Sequence, residues 1–153
     1  MSDVSIAYRM DLPPFDASVV DELESLNSGV FESVAPRYVS WRMSSMPDVS
    51  AFLAIADDKI VGFKVGYAMS QRKYYSWLGG VHSEFRRRGI ASELMERQHK
   101  WIAARGYTVV ETSANQENVA MAQVNLRHGF AVCGIRVEPA RTQVLYSKEL
   151  PSK

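Results

Sequence analysis

One stretch of the chain concentrates residues whose types and spacing offer chemistry: Gly79-Gly80-Val81-His82-Ser83-Glu84-Phe85-Arg86-Arg87-Arg88-Gly89-Ile90-Ala91-Ser92. It joins an alternating apolar segment to a helical pattern through a basic turn. The chemistry such a junction supports is anion binding. N–H groups at a helix N-terminus lack intrahelical acceptors and carry about half a positive charge, so they cradle phosphate. Gly89 admits an anion where a side chain would block it, and Ala91 keeps the first turn small. Arg86, Arg87 and Arg88 add positive charge around the same point. The physical reading is a pyrophosphate site. It is neither a P-loop nor a dinucleotide fingerprint, because GxxxxGK[ST] and GxGxxG are both absent. Standing alone, the arginines would equally suit a solvated helix start.

The elements that must position this segment follow from hydrophobic period. Val4 to Arg9 alternate weakly and predict a first strand, closed by Pro13-Pro14; Asp16 stands at an N-cap for the helical spacing of Val19, Val20, Leu23 and Leu26. Asn27-Ser28-Gly29 predicts the end of that helix, and Pro36 to Met46 a second one. Ser50–Ala56 reads as a buried strand turned by Asp57-Asp58-Lys59 into the next. There Val61, Phe63, Val65, Tyr67 and Met69 share one face; Gly62, Lys64 and Gly66 share the other, which predicts a close approach to that side. Tyr74–His82 is a fourth strand, whose Gly79-Gly80 predicts a bulge or a ligand close by. Then come a helix Ile90–Arg105, a strand Tyr107–Ser113, a helix from about Glu117 to His128, and a hairpin of Phe130–Val137 with Thr142–Leu150. The strands around the Ile90 helix form a βαβ unit and should be parallel neighbours. Ligands favour the carboxyl ends of such strands, which points to residues 79–92 and 112–125.

Composition narrows the function classes. With 153 residues the chain predicts one domain, spanning 1–153. Eighteen basic against 17 acidic residues argue against a dedicated nucleic-acid binder. The longest near-apolar stretch, Ala51–Ala56, falls far short of the ~20 residues that span a bilayer, and the first residues lack the pattern of a signal peptide. A single cysteine, Cys133, makes no internal disulfide and no zinc cluster, which predicts a cytoplasmic protein. Its default place is a small core residue. Metal binding by His99 or His128 is not expected, for neither has partner ligands at hand.

Arg86-x-x-Gly89-x-Ala91, after a strand ending in Val81 and before an amphipathic helix, resembles the acetyl-CoA motif of GCN5-related N-acetyltransferases. A second landmark is similar to that family's next helix: Asn118, Met121, then Asn125-Leu126-Arg127-His128-Gly129-Phe130. The resemblance covers roughly residues 50–150. It implies an α+β fold with a central, mostly antiparallel twisted sheet of about seven strands and about four flanking helices. Within that sheet a parallel β4/β5 pair would splay apart. It also implies acetyl transfer from acetyl-CoA to a primary amine by direct attack, with no metal. Backbone amides of Arg86, Arg87, Arg88, Gly89, Ile90, Ala91 and Ser92 would hold the pyrophosphate, and Asn118 would bond the pantetheine. The Val81 N–H would meet the thioester carbonyl, and a donor there is typically worth about 3–4 kcal/mol to the oxyanion.

Two residues depart from that family's pattern. Ser83 replaces a common proline, a mild change of turn. Asn125 stands where a tyrosine usually protonates the leaving thiolate, and an amide is no general acid near neutral pH. For the base, His82, Glu111 and Tyr75 all remain open. Asn118 is equally suited to capping its helix, and Asn125 to a satisfied buried position. The acceptor would be shaped by residues 13–47 and the final hairpin loop; neither carries a strong acidic patch, so a small-molecule amine is expected. Trp41, Arg42, Met43 and Met46 either line that pocket or belong to core or a dimer contact. A silent acetyl-CoA-binding regulatory domain and a protein N-terminal or lysine acetyltransferase are the alternatives. A homodimer through the last strands is expected by analogy.

Overall fold

The computed structural model describes residues 4–30 and 37–151, with the backbone alone at 28–30. In chain order the elements are β1 (Ala7–Asp11), α1 (Ala17–Val30), α2 (Tyr38–Ser45), β2 (Ser50–Ala56), β3 (Lys59–Ala68) and β4 (Lys73–Val81). A 3-10 turn (Ser83–Phe85), α3 (Ile90–Ala104), β5 (Val109–Asn115), α4 (Val119–Arg127), β6 (Ala131–Glu138) and β7 (Arg141–Glu149) follow. The strands form one seven-stranded sheet, β1-β2-β3-β4-β5-β7-β6. Only β4–β5 is parallel, as the α3 crossover requires; all other neighbours are antiparallel. The expected mixed sheet with four helices is therefore observed.

Several boundaries moved, each for a reason of partnership. β1 starts at Ala7 rather than Val4, because its pairing with β2 begins at Ala7↔Ile55 and β2 itself ends one residue later. Helix α1 runs past the expected stop at Asn27-Ser28-Gly29 to Val30. Pro36, the expected start of the second helix, lies outside the described residues; α2 begins at Tyr38. β5 is shifted two residues towards its C-terminus, since β7 pairs with it as far as Asn115↔Gln143. Cys133 is exposed rather than core, because it lies on β6, the outermost strand.

Helices α1 and α2 cover one face of the sheet. Val19, Leu23, Val39 and Met43 pack there against Ala51, Leu53, Phe63, Val65 and Tyr67. On the other face Ile90, Leu94, Met95 and Ile102 of α3 meet Phe52, Ala54, Tyr74 and Val110, with Met121, Ala122 and Val124 of α4 alongside. β2 is thus covered on both sides, which explains its unbroken apolar run. A register skip against β2 opposite Val61 turns that residue to the α3 side, so Val61 does not share a face with Phe63 as alternation predicts. What approaches the Gly62–Lys64–Gly66 face is α3 and the neighbouring strand. A Cβ at Gly62 would lie 2.8 Å from Ile90 Cγ2; one at Gly66 would lie 2.5 Å from the Tyr74 ring.

Candidate functional site

Strands β4 and β5 pair only from Lys73↔Val109 to Ser76↔Thr112. Thr112 Oγ1 donates to the Ser76 carbonyl at 2.8 Å on the last rung. Beyond it β4 runs on to Val81 beside β3, and β5 to Asn115 beside β7, so a wedge opens between them. The register of β4 skips at Trp77, two residues before the glycine pair that the sequence suggests as the bulge. His82 N–H donates to Val61 O of β3 at 2.7 Å. Backbone groups alternate along a strand, so the N–H and C=O of Val81 and Gly79 face the wedge instead. Arg86 Nε fits this assignment by donating to the outward Val81 carbonyl at 3.3 Å.

At the mouth of the wedge stands the N-terminus of α3. Arg87 (φ 64°) and Gly89 (φ 76°) are both left-handed, and Gly89 is the N-cap with no side-chain bond. No atom lies within 4 Å of a Cβ added at Gly89, so the backbone conformation requires the glycine and spacing does not. The first helical bond is Glu93 N–H to Gly89 O at 3.0 Å. The N–H groups of Ile90, Ala91 and Ser92 precede it and remain available, and a left-handed residue followed by a right-handed turn gathers such groups into an anion nest. The three arginine side chains do not converge as the sequence suggests. Arg86 folds back on Val81, while Arg88 reaches the Val4 carbonyl at 2.7 Å beside the Phe85 ring. Arg87 makes neither contact.

The α3/α4 side of the sheet holds an unusual share of unpartnered polar atoms. Ser76 Oγ, both amide atoms of Gln98 and of Asn125, and His99 Nε2 are buried without a hydrogen bond. Buried polar groups are normally paired, and each exception asks for an explanation such as a ligand or water. Lys64 belongs to the same side. It is 7% exposed, has no counter-ion among the described residues, and its Nζ would lie 3.6 Å from a Cβ at Gly79. Burial lowers its ammonium to about 8. Burial, with Lys148 and Lys64 nearby, likewise lowers His99 to about 3, so that imidazole is neutral.

Other expected site residues are engaged in local structure. Asn118 is the N-cap of α4, its Oδ1 accepting from Met121 N–H at 3.0 Å. Asn125 lies seven residues on, fully buried. His82 Nδ1 accepts from Glu84 N–H at 3.2 Å, which places the proton of the neutral ring on Nε2. Glu111 pairs with Lys73 at 3.0 Å, at the closed end of the strand pair. Tyr75 Oη meets Ser113 Oγ at 2.8 Å, where the wedge begins.

Sequence reasoning placed Lys64 on a face shared with glycines but missed its burial. It grouped Arg42 with Trp41, Met43 and Met46; the structure keeps Arg42 beside Trp41 and turns Met43 into the core. Met43 is core at 3% exposure and Trp41 is 60% exposed. Arg42 is half-buried among four aromatic rings.

The profile of the Acetyltransferase (GNAT) family matches residues 18–130. Arabidopsis thaliana NAA60, solved with a bisubstrate analogue, superposes with a TM-score of 0.80 at 16% identity, covering 97% of this chain and 100% of that one. A GNAT family acetyltransferase from Elizabethkingia anophelis with acetyl-CoA bound gives 0.76 at 15% identity, covering 97% and 100%. An aminoglycoside 6′-N-acetyltransferase complexed with coenzyme A gives 0.77 at 14% identity, covering 95% and 98%. At such identities the likeness is one of fold.

Proposed function

The chain belongs to the GNAT acetyltransferase family, and on that premise we propose that it moves an acetyl group from acetyl-CoA to the primary amine of a small molecule. The observation that carries this reading is the wedge between β4 and β5 with the N-terminus of α3 at its mouth. The nest formed by residues Arg86 to Ser92 takes the pyrophosphate. The pantetheine arm then lies along β4 as an extra strand, using the wedge-facing N–H and C=O of Gly79 and leaving the Val81 N–H for the thioester. Its amides also offer partners to the orphaned polar atoms on the α3/α4 side. Asn118 serves first as the helix cap, with its amide nitrogen left to face the arm.

The neutral amine attacks the thioester carbonyl carbon, and the Val81 N–H stabilises the oxyanion that forms. The attacking nitrogen gives up a proton to water, collapse breaks the C–S bond to leave the amide, and the thiolate takes a proton from solvent, because the amide of Asn125 is no general acid. His82 would have to surrender its capping bond to act as base through Nδ1, and Glu111 its pairing with Lys73. Tyr75 meets Ser113, so a water chain that carries the proton to bulk solvent is the simpler route. A silent acetyl-CoA-binding domain is the second reading, favoured by the fully buried amide of Asn125.

Further expectations belong to this proposal. The acceptor is shaped by α1, α2 and the loop between β6 and β7, within a single domain. Neither nucleic acid nor membrane is a partner: charge is balanced, and no described helix is long and apolar enough to cross a bilayer. The exposed single cysteine suits the cytoplasm. A homodimer would form through β6.

Calorimetric titration with acetyl-CoA tests the reading. Micromolar binding by the wild type, lost in an Arg87→Glu/Gly89→Glu variant that still folds, is the expected result. No heat and no thermal shift at millimolar acetyl-CoA would overturn it. Binding without release of free thiol across an amine panel would favour the silent domain.

A further inference from the structure

Arg42 sits in an aromatic box with no anion to balance it among the described residues. Its guanidinium carbon lies 5.3 Å from the Tyr38 ring centre, 5.5 Å from Trp77, 5.6 Å from Tyr67 and 5.9 Å from Trp41. It donates one hydrogen bond, from Nη1 to Tyr67 Oη at 2.5 Å, while Nε is buried with no acceptor. None of the ion pairs among the described residues includes it. Ring faces attract a cation but do not neutralise it, and beyond the Tyr67 bond the Nη1/Nη2 end of the guanidinium has no hydrogen-bond partner among the described residues. A planar fork in an apolar box is the arrangement that binds a carboxylate by two parallel hydrogen bonds.

The place of the box matters as much as its chemistry. Trp77 is the first residue of β4 beyond the last rung shared with β5. Tyr67 packs on Tyr75 at 5.6 Å, and Tyr75 reaches Ser113, the first residue of β5 beyond that rung. The box therefore borders the wedge on the α1/α2 face. Helices α3 and α4 cover the opposite face, so an amine approaching a thioester in the wedge comes from the side where Arg42 stands. Trp41, 60% exposed, forms the outer wall.

We infer that Arg42 anchors the acceptor, and that the acceptor is a primary amine bearing a carboxylate, of the free amino-acid type. The inference rests on the acetyl-transfer reading above for its reaction, though not for the binding of the carboxylate. Arg42 is a specificity residue that holds the carboxylate in the box while the amine points to the wedge.

The test uses matched probes: L-phenylalanine and L-methionine against phenethylamine and 3-(methylthio)propylamine, the same amines without the carboxylate. Steady-state acetylation by the wild type should favour the acids by about 100-fold or more in kcat/KM. Arg42→Gln should lose about 30-fold or more on the acids, chiefly in KM, and leave the amines within about threefold. Arg42→Lys, which keeps the charge but not the fork, should fall between and guards against a folding defect. Equal or better turnover of the amines, or an equal loss on both sets in Arg42→Gln, would overturn the inference.

Binding is read separately by thermal shift in the presence of CoA. Stabilisation by the acids in the wild type and not in Arg42→Gln supports the anchor even if nothing is acetylated. If acetyl-CoA binds and the acids neither stabilise nor react, the anchor is refuted while the acetyl-CoA site stands. If acetyl-CoA itself does not bind, the acetyl-transfer reading fails, and the thermal shift with the acids alone decides Arg42.

Discussion

At the scale of single residues, the site is defined by polar groups that folding leaves unsatisfied. Asn125 holds an amide without partners where a phenol would be expected, and Gln98 and Ser76 add more orphaned atoms nearby. Lys64 is one whose cost has a signature at alkaline pH. Its ammonium titrates near 8 in the fold but near the ordinary lysine value in the unfolded chain, because burial penalises the charged form. The unfolded state then binds more protons between about pH 8 and 10.4, so this group makes the fold more stable as pH rises through that window. Below pH 8 the buried charge is a standing cost. Lys64→Met should accordingly raise stability at pH 7 by roughly 1–3 kcal/mol. Thermal denaturation should show the gain over wild type shrinking between about pH 8 and 10. A difference that stays constant across that range would show that the lysine is not the titrating group.

At the scale of elements, the wedge exists because β4 has two neighbours of different hand. Antiparallel pairing holds β4 to β3 along its length, whereas the parallel pairing with β5 stops after four residues. What keeps β4 in place is the tight β3–β4–α3 packing through glycine. Gly66 admits the Tyr74 ring and the Tyr75 carbonyl, which a Cβ would meet at 2.5 and 2.7 Å. Gly62 admits only a methyl of Ile90, at 2.8 Å. A methyl at the end of a side chain yields more readily than a strand backbone. Urea denaturation should therefore find Gly66→Ala the costlier change, at about 3 kcal/mol or more, with Gly62→Ala near 1 kcal/mol. The reverse order would mean that α3, and not β4, is the rigid partner.

At the scale of the whole molecule, the two faces of the sheet divide the labour. One is closed by α3 and α4; on the other, under α1 and α2, Arg42 stands among its rings, where the proposal places the acceptor. The remaining feature is the free edge at β6, where Val132, Ile135 and Val137 are 58%, 65% and 73% exposed. An edge strand with open backbone groups and apolar side chains is a template for pairing, and an identical edge on a second copy fits it. Sedimentation at micromolar concentration should give a dimer that Ile135→Lys converts to a monomer of unchanged melting temperature. A monomeric wild type would refute pairing through β6.

The sequence by itself determined the element order, the parallel β4–β5 unit and the glycine turn that opens α3, because each follows from short-range constraints. A pleat has a period of two, a helix start needs its cap within a few residues, and only glycine takes the conformation of position 89 without strain. Tertiary structure decided everything that depends on which distant segment lies alongside. β1 lost three residues because β2 ends, Cys133 is exposed because β6 is outermost, and Val61 changed face through a skipped register. The same holds for the surroundings of Lys64 and Arg42, residues whose burial and neighbours the sequence left open. Lys64 is costly only because α3 closes over it. Arg42 is an unbalanced cation only because β3 and β4 bring Tyr67 and Trp77 to it from 25 and 35 positions away, a juxtaposition no local pattern encodes.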